Sequence, residues 1–317
     1  LEAREPPPAA PLKLPASCSL AQALQMRTEQ RVSRLERLML LEALLGKPRE
    51  YLIAHDEDIL DETCLRAFET LLQKRSAGHP MAYLTGSREF FGLRFAINDQ
   101  VLIPRPETEW LVQAAIRILP EEASAIDLGT GSGAIAIALA FHRPDAKLIA
   151  ADISQSALTL AEHNAGRLLG PGHPLQFCKS NWWASIPMVP FALVLSNPPY
   201  LAPDDPHLGQ GDLRFEPRLA LRDEHDGLRA IETIMMGFAQ RSALGLITDP
   251  GVLMIEHGYQ QADAVRGLGK AQGLFFMLSA SDAAGHLRVT CLSHSKPHAP
   301  LLEALKHECL TWSSGTA

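Results

Sequence analysis

The sequence predicts a doubly wound α/β sheet, preceded by a small helical domain and a β-hairpin linker. Three observations predict it. From about residue 107 onward, short apolar strands alternate with helices, the pattern of a mostly parallel sheet covered on both faces. Before residue 79, apolar residues recur at helical spacing. Between these regions, residues 90–103 alternate with a period of two and run into Pro104-Arg105-Pro106. That segment is a stiff connector, because proline fixes its own φ and restrains its neighbour.

Each element follows in order. Val32, Leu35, Leu38, Met39 and Leu45 mark a helix over 31–46, with Gly46 as its C-terminal cap. A second helix over 61–75 has Asp61 and Glu62 at its start, Lys74 and Arg75 at its end, and Leu65, Phe68 and Leu72 along one face. In the hairpin segment Leu93, Phe95 and Ile97 alternate, Asn98-Asp99 marks the turn, and Val101 and Ile103 alternate again. Strands are then predicted at 125–128, 147–152, 175–178, 192–196, 252–256, 274–278 and 287–292. Helices are predicted at 107–119, 133–141, 154–167 with Ser154 as N-cap, 226–239 and 260–272. The loop joining the last two strands is too short for a parallel crossover, so they pair antiparallel. The chain thus divides into a disordered tail (1–18), a helical domain (19–88), the hairpin and proline linker (89–106), a sheet domain (107–294) and a weakly patterned tail (295–317).

Composition narrows the function. The 317 residues are 46% hydrophobic and 21% charged, as in ordinary globular proteins. No apolar run reaches the length of a membrane-spanning helix, about 18 residues. The start, at Leu1 and not Met, suggests a fragment or a trimmed start, and its Pro- and Ala-rich residues lack the layout of a signal peptide. Cys18, Cys64, Cys178, Cys291 and Cys309 are scattered and form no C-x-x-C pair. They argue against a disulfide framework or a metal site and suit a cytoplasmic protein. A net charge of −7 is a mild argument against a long nucleic-acid footprint.

Two motifs carry chemistry. Asp127-Leu128-Gly129-Thr130-Gly131-Ser132-Gly133 follows a strand and opens a helix. Its glycines permit positive φ and close approach of a ligand to the backbone. Asp152, at the end of the next strand, is placed to accept the ribose hydroxyls of an adenosine cofactor. The dinucleotide pattern also fits, through Gly129, Gly131 and Ala134. Two features favour S-adenosylmethionine: the G-x-G-x-G spacing, and Asp127, an acid that suits an ammonium better than a pyrophosphate. A tight turn without ligand is the bland alternative.

The second motif is Asn197-Pro198-Pro199-Tyr200, directly after the strand 192–196. Ligands bind at the carboxyl ends of strands in such sheets, so this motif belongs beside the glycine loop. Paired prolines stiffen it. The Asn197 side chain and the Pro198 carbonyl offer two acceptors for the two hydrogens of an NH2 group, and Tyr200 offers a flat face for a planar amide or base. An amide nitrogen is a poor nucleophile, so catalysis there is chiefly positioning and preorganised electrostatics.

These motifs, with His79–Gly86, Leu102–Glu109, Arg214–Pro217, Ile255–Gly258 and the late Asp282…Gly285…Arg288 pattern, resemble the HemK-type protein-(glutamine-N5) methyltransferases of peptide chain release factors. The similarity covers residues from about 30 to 292. It implies a seven-stranded Rossmann-like methyltransferase sheet and a cofactor site at Gly129–Gly133, Asp152, the Trp182 region and Asn197. It also implies a catalytic substrate site at Asn197–Tyr200, and a helical domain that docks the release factor. Where relatives often carry an acid, this chain has Asn181. The expected partner is a release factor, with no direct nucleic-acid or membrane contact, and the chain is expected to be a monomer. An adenine-N6 nucleic-acid methyltransferase would use the same clamp, but no basic, aromatic-interleaved segment supports it. A nicotinamide-dependent oxidoreductase would leave Asn197–Tyr200 unexplained, and a noncatalytic binding protein would need neither loop nor clamp intact.

Overall fold

The computed structural model describes residues 17–26, 28 and 32–313, and the backbone alone for 308–313. It separates into two units, Leu1–Ser87 and Arg88–Ala317. Among the described residues no helix is long and apolar enough to cross a membrane.

The first unit is helical. Helix α1 (Arg34–Leu45) starts at a capping box in which Ser33 and Glu36 satisfy each other's backbone N–H, and stops at Gly46 in the left-handed conformation. Its buried face is Leu38, Leu40 and Leu41, with the Arg37 guanidinium donating to the Val32 and Met26 carbonyls. Leu35, expected on that face, is exposed, because the apolar stripe is rotated toward Leu40 and Leu41. Helix α2 (Glu62–Ser76) buries Leu65, Phe68 and Leu72 completely, as its spacing predicted. The expected tail, 1–18, overlaps ordered chain at its last residue. Residues 1–16 lie outside the described residues, but Cys18 is buried and pairs with Leu60 in a two-residue ladder.

The hairpin also differs from expectation. Its strands are β1 (Ser87–Phe90) and β2 (Leu93–Ala96), joined through Phe91 and Gly92. Both turn residues have positive φ, +50° and +71°, which matches the twist of a tight two-residue hairpin. Glu109 helps hold this turn by accepting the Phe91 N–H at 2.9 Å. Val101 and Ile103 are buried in irregular chain, and the Asn98 side chain merely accepts the Gln100 N–H.

The sheet has seven strands: β3 (Ser124–Leu128), β4 (Lys147–Asp152), β5 (Gln176–Lys179), β6 (Phe191–Ser196), β7 (Ile247–Glu256), β8 (Phe275–Ser281) and β9 (Leu287–Ser293). Their order is β8-β9-β7-β6-β3-β4-β5. β9 runs antiparallel to both neighbours and the remaining pairs are parallel. Helix α3 (Glu109–Ile118) leads into β3, and α4 (Ala134–His142), α5 (Gln155–Leu168), α6 (Arg229–Ala243) and α7 (Ala262–Ala271) lie in the connections between strands. α6 and α7 bury Ile231, Ile234, Met235, Phe238 and Val265 against Ile126, Leu128, Val194 and Leu253 on one face. Every residue of β6 is buried, which is why its sequence reads as a continuous apolar run.

The C-terminal segment is not simply a tail. Residues 299–313 form helix α8 (Ala299–Ser313), which packs on α3 and β8 with Leu301 and Leu305 buried. Its apolar residues are plentiful but not confined to one stripe, so the sequence pattern does not single it out as an amphipathic helix.

Candidate active site

The chain leaves β3 toward β4 and β5 on one side and returns to β6 on the other, so the order reverses between β3 and β6. Such a switch point opens a crevice at the strands' carboxyl ends. Leu128 pairs with Ser196 in the parallel register, and the Ser196 hydroxyl donates to the Leu128 carbonyl at 2.6 Å. The glycine loop and the Asn-Pro-Pro-Tyr segment therefore emerge side by side.

The loop walls a cavity of about 750 Å³, which is also lined by Asp152, Trp182, Asn197 and Pro199. Gly129 and Gly131 have φ of +79° and +55°. A Cβ on Gly129 would lie 3.5 Å from the Trp182 ring, and one on Gly131 would enter open space. The Asp152 carboxylate accepts the Gly131 N–H and the Ser154 N–H, each at 2.9 Å, which fixes it at the cavity wall. Burial pushes its carboxyl above the usual range. Trp182 is held at φ +49° by a turn in which the Ser180 hydroxyl donates to the Trp182 carbonyl and accepts the Ser185 N–H. A cavity of this size, floored by the glycine loop and walled on one side by the Asp152 carboxylate and the Trp182 ring, fits an adenosine-bearing cofactor.

Two loop residues stand outside that cavity. Gly133 starts α4 at φ +83°, and a Cβ there would fall 2.6 Å from Ile137 Cδ1, so its role is packing. Asp127 lies buried beneath the loop and accepts the Thr130 hydroxyl at 2.6 Å. Its Oδ1 is buried with no hydrogen-bond partner among the described residues. Burial, which outweighs the Thr130 hydrogen bond, pushes its carboxyl up to about 7. An acid in this place shapes the loop from below.

Pro198 and Tyr200 line a second cavity, of about 850 Å³, together with Glu107, Glu256 and Arg288. Asn197 and Arg105 line both. Burial first, and the nearby Glu256 second, push the Tyr200 phenol up, so it stays protonated. The Tyr200 carbonyl accepts from Gln261 at 3.0 Å, which fixes the segment's exit.

Sequence reasoning missed the groups that orient Asn197. The Asn197 Nδ2 donates to the Thr108 hydroxyl at 3.1 Å, and that hydroxyl donates to Glu256 Oε2 at 2.7 Å. The Asn197 Oδ1 and the Pro198 carbonyl accept from no protein group among the described residues. Glu216, buried, ion-pairs with Arg105 and accepts the Ile103 N–H at 3.0 Å, clamping the proline linker on either side of Pro104. Asn164 on α5 accepts from the Ala96 N–H and donates to the Ala96 and Ser132 carbonyls, tying β2 to the glycine loop. Thr108, Glu216 and Glu256 stand inside segments that carried the family resemblance, but only the fold assigns them these roles.

A seven-stranded sheet with its last-but-one position taken by an antiparallel strand, and a glycine-loop cavity at its switch point, defines a Rossmann-like methyltransferase. The family descriptions agree: residues 19–86 match the PrmC N-terminal domain and residues 108–209 the methyltransferase small domain. A Burkholderia pseudomallei protein is 47% identical over 272 residues, covering 84% of this chain and 94% of its own. Proteins of Bordetella pertussis (45% over 260 residues, 81% and 93%) and Escherichia coli (39% over 273 residues, 86% and 96%) follow. All three bear the name release factor glutamine methyltransferase. This chain belongs to that family of S-adenosylmethionine-dependent enzymes.

Proposed function

We propose that the chain methylates the side-chain amide nitrogen of the glutamine in the Gly-Gly-Gln loop of a peptide chain release factor. The observation that carries this reading is Asn197. It borders both cavities, and its NH2 is committed to Thr108, while its carbonyl oxygen accepts from no protein group among the described residues and is left for a substrate donor. The names of the relatives point to the same substrate.

The roles follow from placement. Gly129, Thr130, Gly131, Ser132, Asp152 and Trp182 would hold the cofactor, with Asp127 and Gly133 shaping the loop beneath it. Bound S-adenosylmethionine supplies an electrophilic sulfonium methyl group. Asn197 Oδ1 and the Pro198 carbonyl hold the two hydrogens of the glutamine NH2, and Pro199 keeps the segment rigid. Tyr200, neutral and half-buried, offers its ring to the planar amide. Neither acceptor is basic enough to deprotonate an amide, so the residues work by positioning. Glycines beside the target glutamine let its loop enter without side-chain clashes. The helical domain, residues 19–86, is the docking element for the release factor, and the chain works as a cytoplasmic monomer with no nucleic-acid contact of its own.

The test is incubation of purified release factor with labelled cofactor and this chain, followed by peptide mapping. Label on the Gly-Gly-Gln glutamine, lost when that glutamine is replaced, is the expected result. Label found only on adenine in added DNA or RNA would overturn it.

A further inference from the structure

An asparagine amide is nearly symmetric in shape but opposite in chemistry at its two ends. If its NH2 faced the cleft, it would meet a substrate NH2 donor to donor. Something must therefore choose the orientation. Thr108 can do so only if its own proton is already committed, because a hydroxyl has one donor and can otherwise donate to Asn197. The group that commits it is Glu256, at the last position of β7, whose side chain is fully buried under the cleft.

We infer that Glu256, acting through the Thr108 hydroxyl, is the positioning residue that fixes which end of the Asn197 amide faces the substrate. This rests on the reading of Asn197 as an amide acceptor. An ionised Glu256 is acceptor-only. It takes the Thr108 proton at 2.7 Å, leaving the Thr108 oxygen to accept from Asn197 Nδ2 at 3.1 Å. Asn197 Oδ1 is then presented to the cleft. A protonated Glu256 has a donor of its own. It can donate to Thr108, whose proton is released toward Asn197 Oδ1, and the amide is free to turn over.

The surroundings make this switch reachable near neutrality. Burial pushes the Glu256 carboxyl up to about 7. Glu107 of the proline linker adds to the rise, while the Thr108 hydrogen bond, Arg288 of β9 and Arg105 of the linker oppose it. Tyr200, after β6, faces the same carboxylate as a neutral phenol. Arg288 is tied to Asp282 by an Nε–Oδ2 contact of 2.8 Å, and Arg105 to Glu216. Both cations are thus held by other carboxylates and compensate Glu256 only at a distance.

The experiment compares the full-length wild type with Glu256→Gln, Thr108→Val and Thr108→Ser between pH 5.5 and 8.5. One readout is kcat on intact release factor. The other is calorimetric affinity for a synthetic Gly-Gly-Gln peptide. The wild-type kcat should fall about tenfold per pH unit below an apparent pKa near 7. Peptide affinity should weaken over the same range. Glu256→Gln, whose amide can present either end to Thr108, should be slower at pH 8 by on the order of tenfold to a hundredfold. Its profile should be flat. Thr108→Val should match it, and Thr108→Ser, which keeps the hydroxyl, should restore most of the rate and the acid limb. An acid limb that survives in Glu256→Gln, or a Thr108→Val as fast and as pH-sensitive as wild type, overturns the inference. Should wild type methylate adenine and not glutamine, the proposed function fails, and the same pH comparison reads the inference on the adenine NH2.

Discussion

The glycine-loop side of the cofactor cavity is built from residues near one another along the chain. Gly129 to Ser132 form the floor, Asp152 reaches back to the Gly131 N–H, and Ser154 steadies Asp152. The substrate cleft does the opposite. Asn197 is oriented by Thr108, Thr108 by Glu256, and the adjoining linker by Glu216, so each contact joins segments far apart in sequence. The first region rests on glycine backbone at positive φ together with one carboxylate, Asp152. The second depends on named polar side chains, each needing a partner. Damage to the first should appear in cofactor binding, and damage to the second in turnover.

The largest expected effect separates two glycines of one loop. Gly131→Val should abolish cofactor binding in calorimetry while the chain still folds, its melting temperature lowered only by the strain of a β-branched residue at φ +55°, since its side chain would enter open cavity space. Gly133→Val should lower the melting temperature further, because to the same strain at φ +83° it adds a Cβ 2.6 Å from Ile137 Cδ1 and 3.1 Å from Ala161 Cβ. If both variants lose binding and stability equally, the loop has no division between floor and packing.

Next in size is Asn197→Ala. Loss of one preorganised polar contact should lower kcat by about two to three orders of magnitude, with cofactor affinity changed far less. A cofactor affinity that collapses along with turnover would place Asn197 in the first region and erase the contrast. Asp152→Ala is the complementary variant. It should weaken cofactor binding by about 1.5–3 kcal/mol, the range for hydrogen bonds to a charged group, with kcat at saturating cofactor nearly kept.

That contrast also explains what could be read from sequence. The glycine loop, Asp152 and the Asn-Pro-Pro-Tyr segment were legible because local spacing and strand periodicity specify them. So were the helix ends at Asp61, Gly46 and Ser154, whose cap geometry is local. The hairpin turn was misplaced because Asn98-Asp99 is the stronger local turn signal, whereas Phe91-Gly92 adopts its positive φ in a turn also anchored by Glu109. Thr108, Glu216, Glu256 and Asn164 read as ordinary polar residues in one dimension. Their partners lie on other strands and helices, and nothing in local periodicity reports a contact between β7 and the proline linker. The same limit hid the helix at 299–313, which is held by α3 and β8 rather than by a strong amphipathic pattern.

The smallest expected effect concerns stability. Both regions bury a carboxyl pushed up to about 7, Asp127 under the loop and Glu256 under the cleft. In the unfolded chain a carboxyl titrates near 4. Between these values the folded state holds a proton that the unfolded state has lost, so stability falls as pH rises and levels off above the folded pKa. The usual acid-loss pattern of a paired carboxylate is therefore inverted at these two positions. From pH 6 to pH 8 each group should cost on the order of 1 kcal/mol, or about 2–4 °C in the melting temperature of a domain of this size. Asp127→Asn removes one of the two titrations and keeps an acceptor for the Thr130 hydroxyl. Thermal melts without cofactor should show the variant gaining on wild type as pH rises from 6 to 8 and holding a constant lead beyond it. Glu256→Gln should show the same gain, so in stability the two regions behave alike even though they part in function. A lead for Asp127→Asn that shrinks with rising pH would mean the buried acid is ionised and paired, and the loop would then rest on a charge and not on a neutral hydrogen bond.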